Sequence, residues 1–355
     1  WFICTFSPNV PELLYQLKIS LAISTYQAGK LVLISAPNPE ELVQLPRTFA
    51  NPMGIAIKGD QLALATQDEV ILLKNIPDLA ATYPQQPKTY DGLFIPRASF
   101  YVGYLDLHDL DFGQKGIWAV NTQFSCLCLI NAQNSFNPIW KPPFISKIAP
   151  GDRCHLNGLA LVNGKPKYVS ALGSTDTPEG WRENKLKGGI LMDVESNEFV
   201  LKDLAMPHSP RWIAGRLFML ISATGEVIKV NPQNGSYEVV NRLKGFVRGM
   251  AHYDDYLFVG LSKLRLNSSA FRDLPIAKES IMAGIVIIHL PSGSVVGQIK
   301  YESSVEEIYD VQVIPELRRP GILNTEKKIH KMAVVSPAGN FWAIPQSAQE
   351  PSNTG

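Results

Sequence analysis

Three imidazoles and a carboxylate, His108, His155, His208 and Glu307, stand at the starts of segments built on one pattern. The segments read Asp-Leu-His-Asp-Leu-Asp-Phe at 106–112, His-Leu-Asn-Gly-Leu-Ala-Leu at 155–161, His-Ser-Pro-Arg-Trp-Ile-Ala at 208–214 and Glu-Ile-Tyr-Asp-Val-Gln-Val at 307–313. Two more, Asn-Pro-Met-Gly-Ile-Ala-Ile at 51–57 and Phe-Val-Arg-Gly-Met-Ala-His at 246–252, complete the set. Gly54, Asp109, Gly158, Arg211, Gly249 and Asp310 are taken as equivalent. Side chains alternate along a strand, so the residues one and three before each aligned position share a face. That places His108 and Arg248 at one level, and His155, His208 and Glu307 together at the next. Two neutral imidazoles and a carboxylate are enough to hold a divalent metal with open positions, and Zn, Fe, Mn or Ca would be the candidates. His108 then reads as a proton shuttle. Arg248 and Arg211 read as forks for a substrate anion. Asp106 and Asp109 read as a further ligand or as groups that orient a histidine. The competing reading is structural: histidines hydrogen-bonded in a polar channel, and arginines in internal salt bridges to Asp109, Asp310 or Glu307.

Such a ring requires a fold that brings six similar strands to one axis. The aligned positions recur every 51 residues or so, the repeat length of a β-propeller blade, and a propeller sets one strand per blade against a central channel. The expected fold is therefore all-β, one propeller spanning 1–345. Each entry segment is followed or preceded by two β-rich runs around a turn, as at 21–34, 62–74, 117–130, 217–230 and 331–344. Seven such hairpins accompany six entry strands, and the count favours seven blades over six. In the alternative, the first hairpin completes the blade begun at 307. A Ser-Pro lead-in predicts a short helix over 9–17. Insertions at 173–188, which carries Trp181, and 266–283 fall at hairpin tips on one rim, where loops carry specificity. Trp181 reads as packing, or as a cap on a ligand. The polar tail 346–355 is expected to be disordered.

Bulk properties narrow the function classes. Among 355 residues the net charge is +1, with acids and bases interspersed, so no polyanion footprint exists and nucleic acid is not an expected partner. No apolar run approaches the roughly 18 residues that cross a bilayer. The four cysteines, Cys4, Cys126, Cys128 and Cys154, are too few and irregular for a disulfide framework and read as buried thiols, which favours a cytoplasmic protein. The first residue is Trp1, which leaves room for a removed leader. A nucleophile elbow, His-Glu-x-x-His, a P-loop and Gly-x-Gly-x-x-Gly are all missing from the sequence.

Longer motifs add a family resemblance. Ser-Thr-Tyr-Gln-Ala-Gly-Lys-Leu (24–31), Asn-Thr-Gln-Phe-Ser-Cys-Leu-Cys (121–128), Asp-Arg-Cys-His-Leu-Asn-Gly-Leu (152–159) and Met-Pro-His-Ser-Pro-Arg-Trp (206–212) span most of the chain. In these the sequence resembles a family of bacterial conserved hypothetical proteins without an assigned activity. The resemblance implies a β-propeller and directs attention to His155 and His208, but names no reaction. The expected function is a metal-dependent enzyme (lyase, hydrolase or oxidative biosynthetic step) acting on a small anionic molecule in the central channel. The alternative is a non-catalytic propeller that binds a peptide or partner protein through its rim loops.

Overall fold

The computed structural model describes residues 2–264, 271 and 273–343. The expected tail at 346–355 and part of the second insertion lie outside the described residues. Among the described residues six sheets surround one axis, antiparallel throughout except that Pro320–Ile322 adds a parallel edge strand beside Gly92–Phe94. Counted around the ring, blade 2 is Ile55–Lys58, Gln61–Ala65, Glu69–Asn75 and Gly92–Tyr101, and blade 3 is Leu107–Gly113, Gly116–Asn121, Cys126–Ile130 and Asn137–Trp140. Blade 4 is Leu156–Val162, Lys165–Ala171, Gly189–Asp193 and Phe199–Leu204. Blade 5 is Pro207–Ile213, Arg216–Ile221, Glu226–Asn231 and Ser236–Arg242. Blade 6 is Phe246–Tyr253, Tyr256–Ser262, Ala283–His289 and Ser294–Tyr301.

Blade 1 closes the ring. Its inner strand, Asp310–Pro315, comes from the C-terminal part and pairs with Ile19–Thr25, which continues into Lys30–Asn38 and Glu41–Thr48. The preference for seven blades is thereby corrected to six. Both extra segments in that count have other partners. Cys4–Phe6 adds a fifth strand to the outer edge of blade 6, Cys4 opposite Tyr301. The last hairpin, Ala333–Ser336 with Gly339–Trp342, is a separate two-stranded sheet. It lacks an inner strand and docks outside blade 2, where Trp342 Nε1 donates to Leu79 O at 3.2 Å. The helix expected near the N-terminus is Val10–Leu17.

Blade strands alternate apolar side chains toward both neighbours, so the core is a set of clusters between sheets rather than one centre. Ile23, Val32, Phe258, Ile285 and Val311 form one between blades 6 and 1. Buried contacts of this kind stabilise by roughly 25 cal/mol per Å² of apolar surface. Polar latches add direction. The hydroxyls of Ser24, Thr122, Ser222 and Ser262, each at or just past the end of a second strand, donate to Met53 O, Leu156 O, Val247 O and Ile308 O of the following blade. Near the axis the backbones approach so closely that alternate blades need glycine: a Cβ on Gly54 would stand 2.9 Å from Asp109 Cα, and one on Gly249 would stand 2.8 Å from Asp310 Cα.

Candidate functional site at the channel mouth

The chain turns into four of the six inner strands through a left-handed residue: Asn51, Asp106, His155 and Met206, with φ of 44°, 55°, 51° and 58°. Asn, Asp and His tolerate this conformation better than most side chains; Met does not, and surrounding packing holds it there. These corners give the true register. Met206, not His208, is the equivalent of His155, and His208 is the equivalent of His108. The expected alignment slipped by two at blade 5, where pairing with the second strand jumps from His208 to Arg211. The same one-residue bulge recurs in blades 3 and 6, between Leu107 and Leu110 and between Val247 and Met250, so the corner residue and not the strand pairing marks the slip. The inner level is therefore Met53, His108, Asn157, His208, Arg248 and Tyr309. His155 and Glu307 belong to the outer level with Asp106 and Phe246. His155, His208 and Glu307 do not stand at one level as the spacing suggested.

His108 and His208 are held by the same device. His108 Nδ1 lies 2.8 Å from Thr122 Oγ1 and 3.1 Å from Asp106 O. His208 Nδ1 lies 2.7 Å from Ser222 Oγ and 3.1 Å from Met206 O. Each hydroxyl already gives its proton to a carbonyl, so each must accept from the ring, and a carbonyl can only accept. Nδ1 therefore carries the hydrogen and Nε2 keeps its lone pair. His155 Nδ1 faces the Asp152 carboxylate at 2.8 Å, which fixes the same tautomer. Burial, and then the neighbouring imidazole and Arg248 charges against a partial offset from Asp106, push His108 down to about 4. Burial, then Arg248 and the other two rings, hold His208 well below its usual value. At neutral pH both rings are uncharged.

The cationic centre at this level is Arg248. Its guanidinium Cζ lies 3.5 Å from the centre of the Tyr309 ring, and Nη1 is 3.3 Å from Glu307 Oε1. Tyr309 in turn packs 5.3 Å from His108, and His108 meets His155 edge-on at 4.7 Å. Asp152 accepts from Trp181 Nε1 at 3.0 Å as well as from His155. Trp181, in the first insertion, is thus buried against His155 at 4.4 Å rather than exposed as a cap. Arg248 also lines a cavity of about 290 Å³ at the mouth, with Phe246, Lys263, Leu264, Phe271 and Glu307.

Below the imidazoles the axis is filled. Arg211 Nη1 reaches Asp109 Oδ2 at 2.7 Å, Nη2 lies 3.6 Å from Asp310, and Nε donates to Met250 O at 3.1 Å. Asp109 also accepts from Leu159 N, and Asp310 from Ile55 N, so each carboxylate ties its own blade to the next. These bonds assign Arg211 and Asp109 to holding the ring, the structural one of the two roles considered. The space left among His108, Asn157, His208 and Arg248 is about 10 Å³, room for one water at most. The axis at this level therefore has no room for a small molecule. Among the described residues no three His, Cys, Asp or Glu side chains are grouped as a ready-made metal site. Cys126, Cys128 and Cys154 are buried free thiols, and burial pushes Cys126 and Cys154 up to about 12.

Thr122, Ser222 and Asp152 escape a search for reactive residues, yet each has a signal. A hydroxyl follows both His108 and His208 by 14 positions. Asp152 precedes His155 by three in the Asp-Arg-Cys-His motif, and the left-handed corner folds it back onto Nδ1.

A family profile described as "Domain of unknown function (DUF4915)" matches residues 8–323. No curated protein matches the sequence. Among solved structures, a chain from the "Crystal structure of Nidogen/Laminin Complex" superposes with a TM-score of 0.51 at 10% identity, covering 84% of this chain and 99% of that one. At that identity the likeness shows the propeller fold alone. Among the described residues no helix is long and apolar enough to cross a membrane.

Proposed function

The chain belongs to the DUF4915 family, and we propose that its channel mouth is the active site of an enzyme acting on a small molecule with an anionic group. The observation that carries this reading is the Asp152–His155 pair: a histidine in a left-handed corner, its Nδ1 tied to a carboxylate at 2.8 Å that Trp181 holds from its other side. A carboxylate that fixes the tautomer of an accessible imidazole is how a general base is oriented. Arg248 binds the anionic group, with no second cation needed because His108 and His208 are neutral and serve as acceptors through Nε2. Tyr309, whose proton is retained because burial raises it well above its usual range, positions the guanidinium from below.

A second reading is favoured by the shared tautomer of His108 and His208. Outer partners on Nδ1 are the usual support for metal-bound imidazoles, so a divalent metal (Zn, Fe, Mn or Ca) on Nε2 of His108 and His208, which line one small axial space, would supply Lewis-acid chemistry there. Glu307, paired with Arg248, takes no part in this set. The rim-binding alternative loses its main support because Trp181 is buried.

The test incubates a small-molecule extract with the purified chain and follows all masses. Depletion of a compound by wild type and not by His155→Ala supports the enzyme; identical profiles for the two overturn it. Elemental analysis of the same samples decides the metal: near-stoichiometric metal, reduced in His208→Ala, is expected on the second reading, and its absence removes that reading only.

A further inference from the structure

Resting on Arg248 as the anion anchor, we infer that the mouth cavity binds a small zwitterion with an apolar side chain, an α-amino acid. The argument starts from charge. Arg248 cannot meet an anion alone, because Glu307 Oε1 lies 3.3 Å from its Nη1 and Glu306 lines the same cavity with Lys263. A simple anion placed on Arg248 gains one attraction and meets a carboxylate at almost the same distance. At such similar separations the attraction and the repulsion are of comparable size, so the repulsion cancels most of the gain. A molecule that carries a cation next to its anion removes the conflict. Its carboxylate takes the place of Glu307 on Arg248 and its ammonium meets Glu307, so two ion pairs replace one and no charge is left alone. The lining holds two cations and two anions, which suits a ligand with no net charge and selects against either half of it.

The wall of the cavity completes the match. Phe246, Leu264 and Phe271 line it beside the charges, with Phe246 and Phe271 in edge contact at 5.8 Å. An aromatic corner of this kind takes an aromatic or branched apolar side chain. At about 290 Å³ the space lies at the lower end of small-ligand cavities, roughly 300–1,000 Å³, which suits one amino acid and not a nucleotide cofactor. Phe246 also meets His208 edge-on at 6.0 Å, so this wall adjoins the imidazoles.

The experiment is calorimetric titration of the full chain with L-phenylalanine and L-leucine, and with 3-phenylpropionate and phenethylamine, which lack the amine and the carboxylate. At least one amino acid is expected to bind, about tenfold or more tighter than either truncated analogue, because an unpaired charged partner is left behind by each. Glu307→Gln should remove the preference over 3-phenylpropionate, and Arg248→Met the preference over phenethylamine. Equal affinity for an amino acid and 3-phenylpropionate in wild type, or no binding by any of the four, overturns the inference. The enzyme reading is decided separately: amino-acid binding that survives in His155→Ala, with no His155-dependent turnover, leaves this pocket standing and sinks that reading. Turnover of a compound without an amine does the reverse.

Discussion

Arg211 and Arg248 both looked like substrate forks, and replacing each by Met should separate the two roles. Arg211 is enclosed by Asp109 at 2.7 Å, Asp310 at 3.6 Å and the Met250 carbonyl. Both carboxylates are buried, at 4% and 3% exposure. Arg211→Met leaves them facing one another with their backbone donors but without the cation. Removing one partner of such a buried set costs about 3–5 kcal/mol. With an unfolding entropy of about 2.1 cal/mol/K per residue, a chain of this length should melt about 4–7 °C lower at neutral pH. Acid should narrow the gap. Asp310 is already raised by burial against the pull of Arg211, and losing Arg211 raises it further. A carboxylate raised in the fold costs stability once pH exceeds its unfolded pKa, so the deficit should be largest near pH 8 and shrink toward pH 5. Arg248→Met should cost only about 1 kcal/mol, because Glu307 keeps contact with water at 19% exposure. Calorimetry of both variants at several pH values is the assay. A loss below about 1 kcal/mol for Arg211→Met, or one unchanged between pH 5 and pH 8, would refute the assignment of Arg211 to the ring.

Three further outcomes are expected. Burial, partly offset by Arg211, raises Asp111 to about 6, so its contribution to stability is present below about pH 4 and lost as pH rises through 6. Asp111→Asn should flatten the stability profile over that window and stabilise by about 1–2 kcal/mol at pH 7; an unchanged slope in denaturant titrations counts against it. Gly249→Ala places a Cβ 2.8 Å from Asp310 Cα at φ +78°, and should cost about 2–4 kcal/mol, whereas Gly215→Ala, with nothing within 4 Å of its Cβ at φ +76°, should show only the backbone part. Nitrogen NMR at neutral pH should find His108 and His208 protonated on Nδ1, and Thr122→Val should release that tautomer in His108 alone; an Nε2-protonated ring in wild type would contradict the hydroxyl latch.

Much of the architecture was legible in the chain itself. A recurring strand-entry pattern every 51 residues or so implies blades around an axis, since strands that alternate on two faces must pack on both neighbours. Residue type also carried information: Asn, Asp and His at the corners suit a left-handed turn, and glycine at alternate aligned positions suits inner strands in close contact. Register was another matter. Spacing aligns Arg211 with Asp109, whereas the left-handed corners at Asp106 and Met206 align Ser209 with it, so His208 sits one level deeper than the spacing implies. Blade number was decided by closure, because the partners of Cys4–Phe6 and Asp310–Pro315 are about 300 residues away. The roles of the charges were decided in the same way. Arg211 and Arg248 are alike in sequence, but one meets two buried carboxylates and the other a tyrosine face and a partly exposed glutamate. Only the three-dimensional arrangement sets which charges lie within a few ångströms, and interaction energy depends on that distance and not on separation along the chain.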